Sequence, residues 1–224
     1  MSHSRFKKPA LWGAVLVFVL VGGASAQAEP IAASDELWGH FEATMGFVAG
    51  QHRYDELRFA RESGPANAPP AALQGAPYDR TEVFGLRYDV RLVVSHVRMT
   101  AGIDFPFTSF SAESAVRDTG AGVRRVESLK SYVLRFGIGG EYPFGPVVPF
   151  VDVLGSVHWV STTMLFDGES SEYGASAFGF SARAGVRLQV REWFFASLAG
   201  EVGIIGPVRW GAELSVGFSL GPVE

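Results

Sequence analysis

Alternation with a period of two governs this chain. From about residue 38 to residue 220, eight segments put apolar side chains on one parity and small, polar or charged ones on the other, which is the signature of strands with two unlike faces. In 38–49, Phe41, Ala43, Met45 and Phe47 oppose His40, Glu42, Thr44 and Gly46. In 81–93, Phe84, Leu86, Tyr88, Val90 and Leu92 oppose Gly85, Arg87, Asp89 and Arg91. In 97–106, Val97, Met99, Ala101, Ile103 and Phe105 oppose Arg98, Thr100, Gly102 and Asp104. In 128–142, Tyr132, Leu134, Phe136, Ile138 and Tyr142 oppose Ser131, Arg135, Gly137, Gly139 and Glu141.

The second half continues the pattern. Segment 149–164 sets Val151, Val153, Val157 and Trp159 against Asp152, Ser156 and His158, with Leu154 on the polar side. In 180–190, "FSARAGVRLQV", the even residues are apolar and the odd ones include Ser181, Arg183, Arg187 and Gln189. Segment 193–204 sets Phe194, Ala196, Leu198 and Val202 against Ser197, Ala199, Glu201 and Gly203; segment 209–220 sets Trp210, Ala212, Leu214, Val216, Phe218 and Leu220 against Gly211, Glu213, Ser215, Gly217 and Ser219. Connectors at about 50–80, 107–127 and 165–177 are long, and those at 94–96, 143–148 and 191–192 are short. The connector at 205–208, "IGPV", is short where the rhythm calls for a long one. The loop 50–80, with "ESGPANAPPAALQGAP", is expected to be irregular surface chain.

A water-soluble barrel and a membrane barrel share this period, so the alternation must be read with its chemistry. The polar faces are poor in lysine, since Lys130 is the only one after Lys8, and rich in Gly, Ser, Thr and Ala. Small residues of that kind suit a narrow lumen, where large charged side chains must fit between them. Six arginines (Arg87, Arg91, Arg98, Arg135, Arg183, Arg187) share these faces with seven acids (Glu42, Asp89, Asp104, Glu141, Asp152, Glu201, Glu213). In a confined interior such charges must be paired or hydrated; Arg183 and Arg187 are expected to meet acids such as Glu201 on the next strand. The apolar faces carry Tyr88, Tyr132, Tyr142, Trp159, Trp193 and Trp210 toward strand ends, where interfacial aromatic girdles belong; strict alternation points Trp193 inward. No run of eighteen apolar residues exists for a helical span.

The N-terminus reads as an export signal. "MSHSRFKK" is basic, "ALWGAVLVFVLV" is apolar but shorter than a membrane helix, and small residues at Ala24 and Ala26 permit cleavage after Ala26. The alternative cut follows Ala28. Removing residues 1–26 shifts the formal charge from -4 to -7, a balance with no pull toward nucleic acid. Cysteine is absent, which excludes disulfides, thiolate metal sites and a cysteine nucleophile. The expected organisation is a signal peptide at 1–26, a short periplasmic lead at 27–36, a barrel at 37–220 and a tail at 221–224. The expected fold is all-β, an eight-stranded antiparallel up-and-down transmembrane β-barrel.

The segment "YVLRFGIGGEYPFGPVVPFVDVLGSVHW" (132–159), with its Gly-rich strand, Pro-containing tight turn and aromatic strand, resembles the small outer-membrane β-barrel proteins of Gram-negative bacteria. These include the OmpA transmembrane domain, OmpX-like proteins and opacity-type surface proteins. The resemblance covers roughly 37–220. It implies a place in the outer membrane, with lipid and lipopolysaccharide around the wall, delivery by the barrel-insertion machinery, and an extracellular or envelope protein as a partner for the loops. The chain departs from that family at its end: Phe218 is in phase, but Gly221–Glu224 follow it.

Catalytic candidates are few. Ser156 and His158 share a face, and Glu141 lies on the preceding strand; such a set could serve acyl transfer in a lipid A-modifying enzyme. The plainer reading makes all three lumen lining. His40, His52 and His96 show no metal-ligand spacing, and "GIGG" (137–140) lacks the helix and Lys/Ser pair of a phosphate loop, so its glycines are read as room for neighbouring side chains. No catalysis, metal or cofactor is expected. The leading function is a structural or surface-exposed role in envelope integrity, adhesion or recognition; a narrow porin-like channel and a soluble lipocalin-like binding barrel are the alternatives.

Overall fold

In the computed structural model, the described residues are 39–54, 57–64, 72–74, 81–109, 116–118, 123–166 and 169–222. The expected signal peptide and periplasmic lead lie outside them. Among the described residues eleven strands form one antiparallel sheet: β1 (Gly39–His52), β2 (Arg58–Ser63), β3 (Ala72–Gln74), β4 (Thr81–Val94), β5 (Val97–Ser109), β6 (Val116–Asp118), β7 (Val123–Glu141), β8 (Val147–Phe166), β9 (Glu169–Arg191), β10 (Phe194–Ile205) and β11 (Val208–Pro222).

Pairing runs from β1 through β4, β5, β7, β8, β9, β10 and β11, and β11 pairs back to β1, so the long strands make a ring. The expected count of eight is therefore corrected to eleven strands in the sheet. The three extra strands are short: β2 adds to β9, β3 to β2 and β6 to β7. All three long expected connectors also change, and 107–127 contains β6 with the ends of β5 and β7. The span 50–80 contains β2 and β3, and the expected connector 165–177 is mostly strand, because β8 and β9 run in unbroken register from Val147–Leu188 to Phe166–Glu169. At the C-terminus, β11 extends to Pro222, two residues into the expected tail.

One end of the ring has tight turns. Ser95 adopts φ 54° in the two-residue link between β4 and β5, and Gly145 adopts φ 62° between β7 and β8. The other end carries the connections that hold β2, β3 and β6. Closure into a ring leaves few unpaired edges, which removes the main hazard of an open sheet.

Burial follows parity along the strands. On β1 Phe41, Met45 and Phe47 are exposed while Glu42 and Thr44 are buried, and on β4 Phe84, Tyr88 and Val90 are exposed while Arg87, Asp89 and Arg91 are buried. Arg87 is 1 % exposed and Phe47 is 56 % exposed, the reverse of a water-soluble protein. Above the level of Tyr132 and Trp159, which oppose each other in the β7–β8 register, the preference inverts. There Leu129, Val160, Met164 and Tyr173 point inward and pack with Tyr54 and Phe59 into an apolar cluster, while Lys130, Ser161 and Glu172 point outward.

Candidate functional site: the charged interior

Inward glycines shape the lumen before any charge is placed in it. A Cβ on Gly102 would overlap Asp89 Oδ1, and one on Gly139, within the "GIGG" stretch, would overlap Asp152 Oδ1. The carboxylates of neighbouring strands lie flat over these bare backbones, which frees the middle of the lumen for guanidinium groups.

All thirteen charged residues named above are buried inside the ring. They fall into three tiers. Nearest the capped end, Arg87 grips Asp104 through Nε (2.8 Å) and Nη2 (3.0 Å), reaches Glu213 Oε2 through Nη1 (2.7 Å) and touches Glu201 Oε2 (3.1 Å). Arg135 donates to the same Asp104 (2.7 Å) and the same Glu201 (2.5 Å), and Ser181 Oγ donates to Glu201 Oε1 (2.6 Å). In the middle, Arg183 donates to Asp152 (2.9 Å), Asp89 (3.0 Å) and Glu213 (3.0 Å). Nearest the tight turns, Arg91 pairs with Asp89 (2.9 Å), and Arg187 joins Glu42 to Glu141, the latter at 2.7 Å. Arg98 reaches Asp152 (3.3 Å) and Glu141 (3.5 Å) and lies 3.9 Å above the centre of the Phe150 ring.

These contacts cross the lumen as well as following the sheet. Arg183 on β9 meets Asp89 on β4, and Arg135 on β7 meets Glu201 on β10. The expectation that Glu201 would pair with Arg183 or Arg187 is corrected. Glu201 does stand opposite Arg183 in the β9–β10 register, yet its carboxylate goes to Arg87 and Arg135, while Arg183 turns to three other acids. Guanidinium is suited to this sharing, because its fixed fork of donors serves several carboxylates at once. Six guanidiniums face seven carboxylates, and His40 Nε2 sits 2.9 Å from Glu42 Oε1 at the turn end.

Apolar side chains close both sides of the charged tiers. Phe150, Phe195 and Val93 are buried toward the tight turns, and Arg187 lies 5.2 Å from the Phe195 ring centre. Strict alternation contained the signal for Phe150 and Phe195, since both share parity with buried charges, but a charge-based search passes over them. Between the upper tier and the apolar cap lies a polar layer: Ser156 Oγ is 3.0 Å from His158 Nε2, the His52 and His158 rings meet edge-on at 5.5 Å, and His52 Nδ1 is 3.0 Å from Tyr54 OH. A cavity of only about 10 Å³ lies beside His52, Arg87 and Glu201, on the scale of one water.

The catalytic set is not assembled. Glu141 opposes Phe150 on β8, six residues from Ser156, which is about 20 Å along the strand. Its carboxylate is taken by Arg187 and Arg98, and His158 Nδ1 has no hydrogen-bond partner among the described residues. Ser156 and His158 thus lack the third group that orients a triad histidine. Among the described residues no cluster of three or more metal-ligating side chains occurs.

The aromatic side chains divide by position. Tyr142 and Trp210 are exposed at strand ends, whereas Tyr88, Tyr132 and Trp159, expected toward strand ends, are exposed within their strands, because β7 and β8 continue well past the apolar wall. Trp193, which strict alternation turns inward, is 59 % exposed. It sits in the turn before β10, where the strand period no longer holds, and stacks on Phe218 at 5.9 Å with the planes 1° apart.

No family model matches this chain, and no curated protein matches it. Solved structures do. The chain is similar to Neisserial surface protein A at 14% identity, covering 82% of this chain and 96% of that one, with a TM-score of 0.46. It is similar to Ail, the attachment invasion locus protein of Yersinia pestis, at 10% identity, over 81% of this chain and 99% of that one, with a TM-score of 0.48. It is also similar to the N-terminal β-barrel domain of Pseudomonas aeruginosa OprF at 14% identity, over 82% and 99% of the two chains, with a TM-score of 0.41.

Proposed function

We propose that the ring is an eight-stranded transmembrane β-barrel of the outer membrane, with three accessory strands beyond the bilayer, and that it works as a closed structural and surface-exposed protein. One observation carries this reading: the wall is apolar outside and charged inside, so lipid is the solvent it fits. Monomeric soluble proteins rarely expose contiguous apolar patches beyond a few hundred Å², and here large apolar side chains from all eight ring strands face outward. The height agrees. Tyr132 and Tyr142, ten residues apart at the two ends of the apolar wall of β7, are both exposed. Ten residues span about 33 Å of strand, or about 25 Å of bilayer at the usual tilt.

In this reading cleavage after Ala26 releases the chain into the periplasm, the insertion machinery folds it, and lipid with lipopolysaccharide surrounds it. The tight turns face the periplasm; the cap and the connections carrying β2, β3 and β6 face outward and are free for envelope or extracellular protein contacts. The thirteen charged residues act as an internal brace. Crossed ion pairs and apolar layers above and below them argue against an open channel. Fractionation tests the reading: mature protein should remain in the outer-membrane fraction and change its gel mobility on heating, and planar bilayers should show no stable conductance steps. Detergent-free soluble protein would overturn it.

A further inference from the structure

An open groove of about 460 Å³ lies on the outer wall of β7, β8 and β9 at the level where their outward side chains change from apolar to polar. That volume lies within the range of small-molecule sites, about 300–1,000 Å³. Its lower edge is the exposed cross-strand pair Tyr132 and Trp159. Its upper part holds Lys130, Ser161 and Ser176, and β2 supplies Glu62 from the far side. Glu62 is seated by a glycine: a Cβ on Gly174 would overlap its carboxylate oxygen. The seat is therefore built into two strands that meet only because β2 extends β9.

The chemistry of this groove is selective. Two aromatic faces offer flat, amphipathic surfaces. A carboxylate can accept two hydrogen bonds from adjacent hydroxyls; around it two serines can donate or accept and an ammonium can donate. Among the described residues the lining has one acid and one base, Glu62 and Lys130, and no arginine. A phosphate or sulfate site would concentrate guanidinium and ammonium groups instead. Just below the groove the wall is Leu134, Phe136 and Phe178, all exposed, so acyl chains lying there would continue into a headgroup at Trp159.

We propose that this groove binds the uncharged pyranose headgroup of a glycolipid in the outer leaflet, stacked on Trp159 and Tyr132 and held through its hydroxyls by Glu62. The proposal rests on the membrane reading above, which places Tyr132 and Trp159 at the outer interface. The sugar is uncharged because the groove is balanced, and lipid-borne because the aromatic shelf adjoins the acyl-facing wall.

The test uses the mature full chain in phosphatidylcholine nanodiscs, first checked for insertion by heat-dependent gel migration. Digalactosyldiacylglycerol is titrated into the discs, with phosphatidylglycerol as the anionic control and free digalactosylglycerol as the chainless one, and the Trp159 indole N–H resonance is followed. The galactolipid should shift that resonance saturably and phosphatidylglycerol should not. Glu62→Gln and Trp159→Leu should each weaken the galactolipid interaction by about tenfold or more while the protein still inserts. Gly174→Val, which displaces Glu62, should do the same. Equal responses to both lipids, or full galactolipid binding by E62Q and W159L, would overturn the site while leaving the barrel intact. Free digalactosylglycerol binding as tightly as the lipid would overturn the lipid-borne headgroup. Failure to insert at all would overturn the membrane reading and this proposal with it.

Discussion

The charged-core wall and the apolar cap share three long strands, β7, β8 and β9, built under opposite rules at the two levels. Along β7, Arg135 points into the ring and Phe136 out of it; five residues above Leu134, Leu129 points in and Lys130 points out. On β8, Asp152 and Ser156 are inside with Val153 and Trp159 outside, and then Val160 and Met164 are inside with Ser161 outside. On β9, Arg183 is inside and Phe180 outside, whereas Tyr173 is inside and Glu172 outside. The side-chain parity holds across the change of level, and the register shift on β7 comes higher, between Val126 and Ser128. Only the chemistry assigned to each parity changes, and it changes at one level, marked by Tyr132 and Trp159. A soluble barrel would have no cause to switch. A barrel that leaves lipid for water partway along its strands would have to, because its outside becomes wet and its inside must then hold together by apolar packing.

The sharpest break of this comparison is to remove one arginine from the wall's interior. Arg183→Ala leaves Asp89, Asp152 and Glu213 without their shared donor, and breaking a buried network in this way costs about 3–5 kcal/mol. Urea unfolding of the folded protein in phospholipid vesicles should show that loss. Arg183→Met should lose a similar amount despite filling the space, which separates lost charge pairing from lost packing. Little or no loss in either variant would mean that water compensates the acids and that the network is no brace.

A paired substitution measures the switch level itself. On the proposed membrane reading, Phe136→Arg puts a charge on the outward apolar wall near the bilayer centre, with an expected cost of about 2–4 kcal/mol, whereas Ser161→Arg, above Trp159, should cost about 0–1 kcal/mol. Both positions face outward on adjacent strands, so secondary structure and parity are held constant. Equal costs at the two positions would erase the distinction between wall and ledge.

The same inversion explains what could be read in the sequence and what could not. Where one chemistry holds for a whole strand, as in 81–93 or 209–220, parity separates the faces and burial divides in the same way. Where the chemistry reverses mid-strand, the two halves of the pattern cancel and the strand looks like loop; that is why 165–177 reads as a connector although β8 and β9 run through it. β2 was hidden for a different reason. Its sequence "RFARES" has one inward apolar residue, Phe59, and depends on the edge of β9 rather than on its own periodicity. At the site, parity places a charge on a face but says nothing about which opposite charge it reaches. Glu201 stands opposite Arg183 in register and bonds to Arg87 and Arg135, an outcome set by lumen diameter and by how far each guanidinium extends. The seat of Glu62 on Gly174 likewise joins residues 112 positions apart, a contact that only the fold creates.

The most local predicted effect lies in the cap. Burial pushes the Tyr54 phenol from its ordinary value near 10 up to about 12, because the apolar cluster around it disfavours phenolate. The folded value lies above the unfolded one, so the contribution of neutral Tyr54 is complete below pH 10 and is lost as pH rises from 10 through 12. Its full size is about 3 kcal/mol, from roughly two units at 1.36 kcal/mol each. Because Tyr54 packs with Phe59, Leu129, Met164 and Tyr173 rather than with the ion pairs, that loss should loosen the cap before the wall. Amide exchange at β2 and at the upper ends of β8 and β9 should accelerate beyond the intrinsic rise with pH, relative to Tyr54→Phe, while amides of β1 and β4 should not differ between the two proteins. Matched exchange in wild type and Tyr54→Phe across that range would show that the phenol is not held neutral by the cluster. Acceleration extending into β1 and β4 would show that cap and wall unfold as one unit, despite being built on opposite solvents.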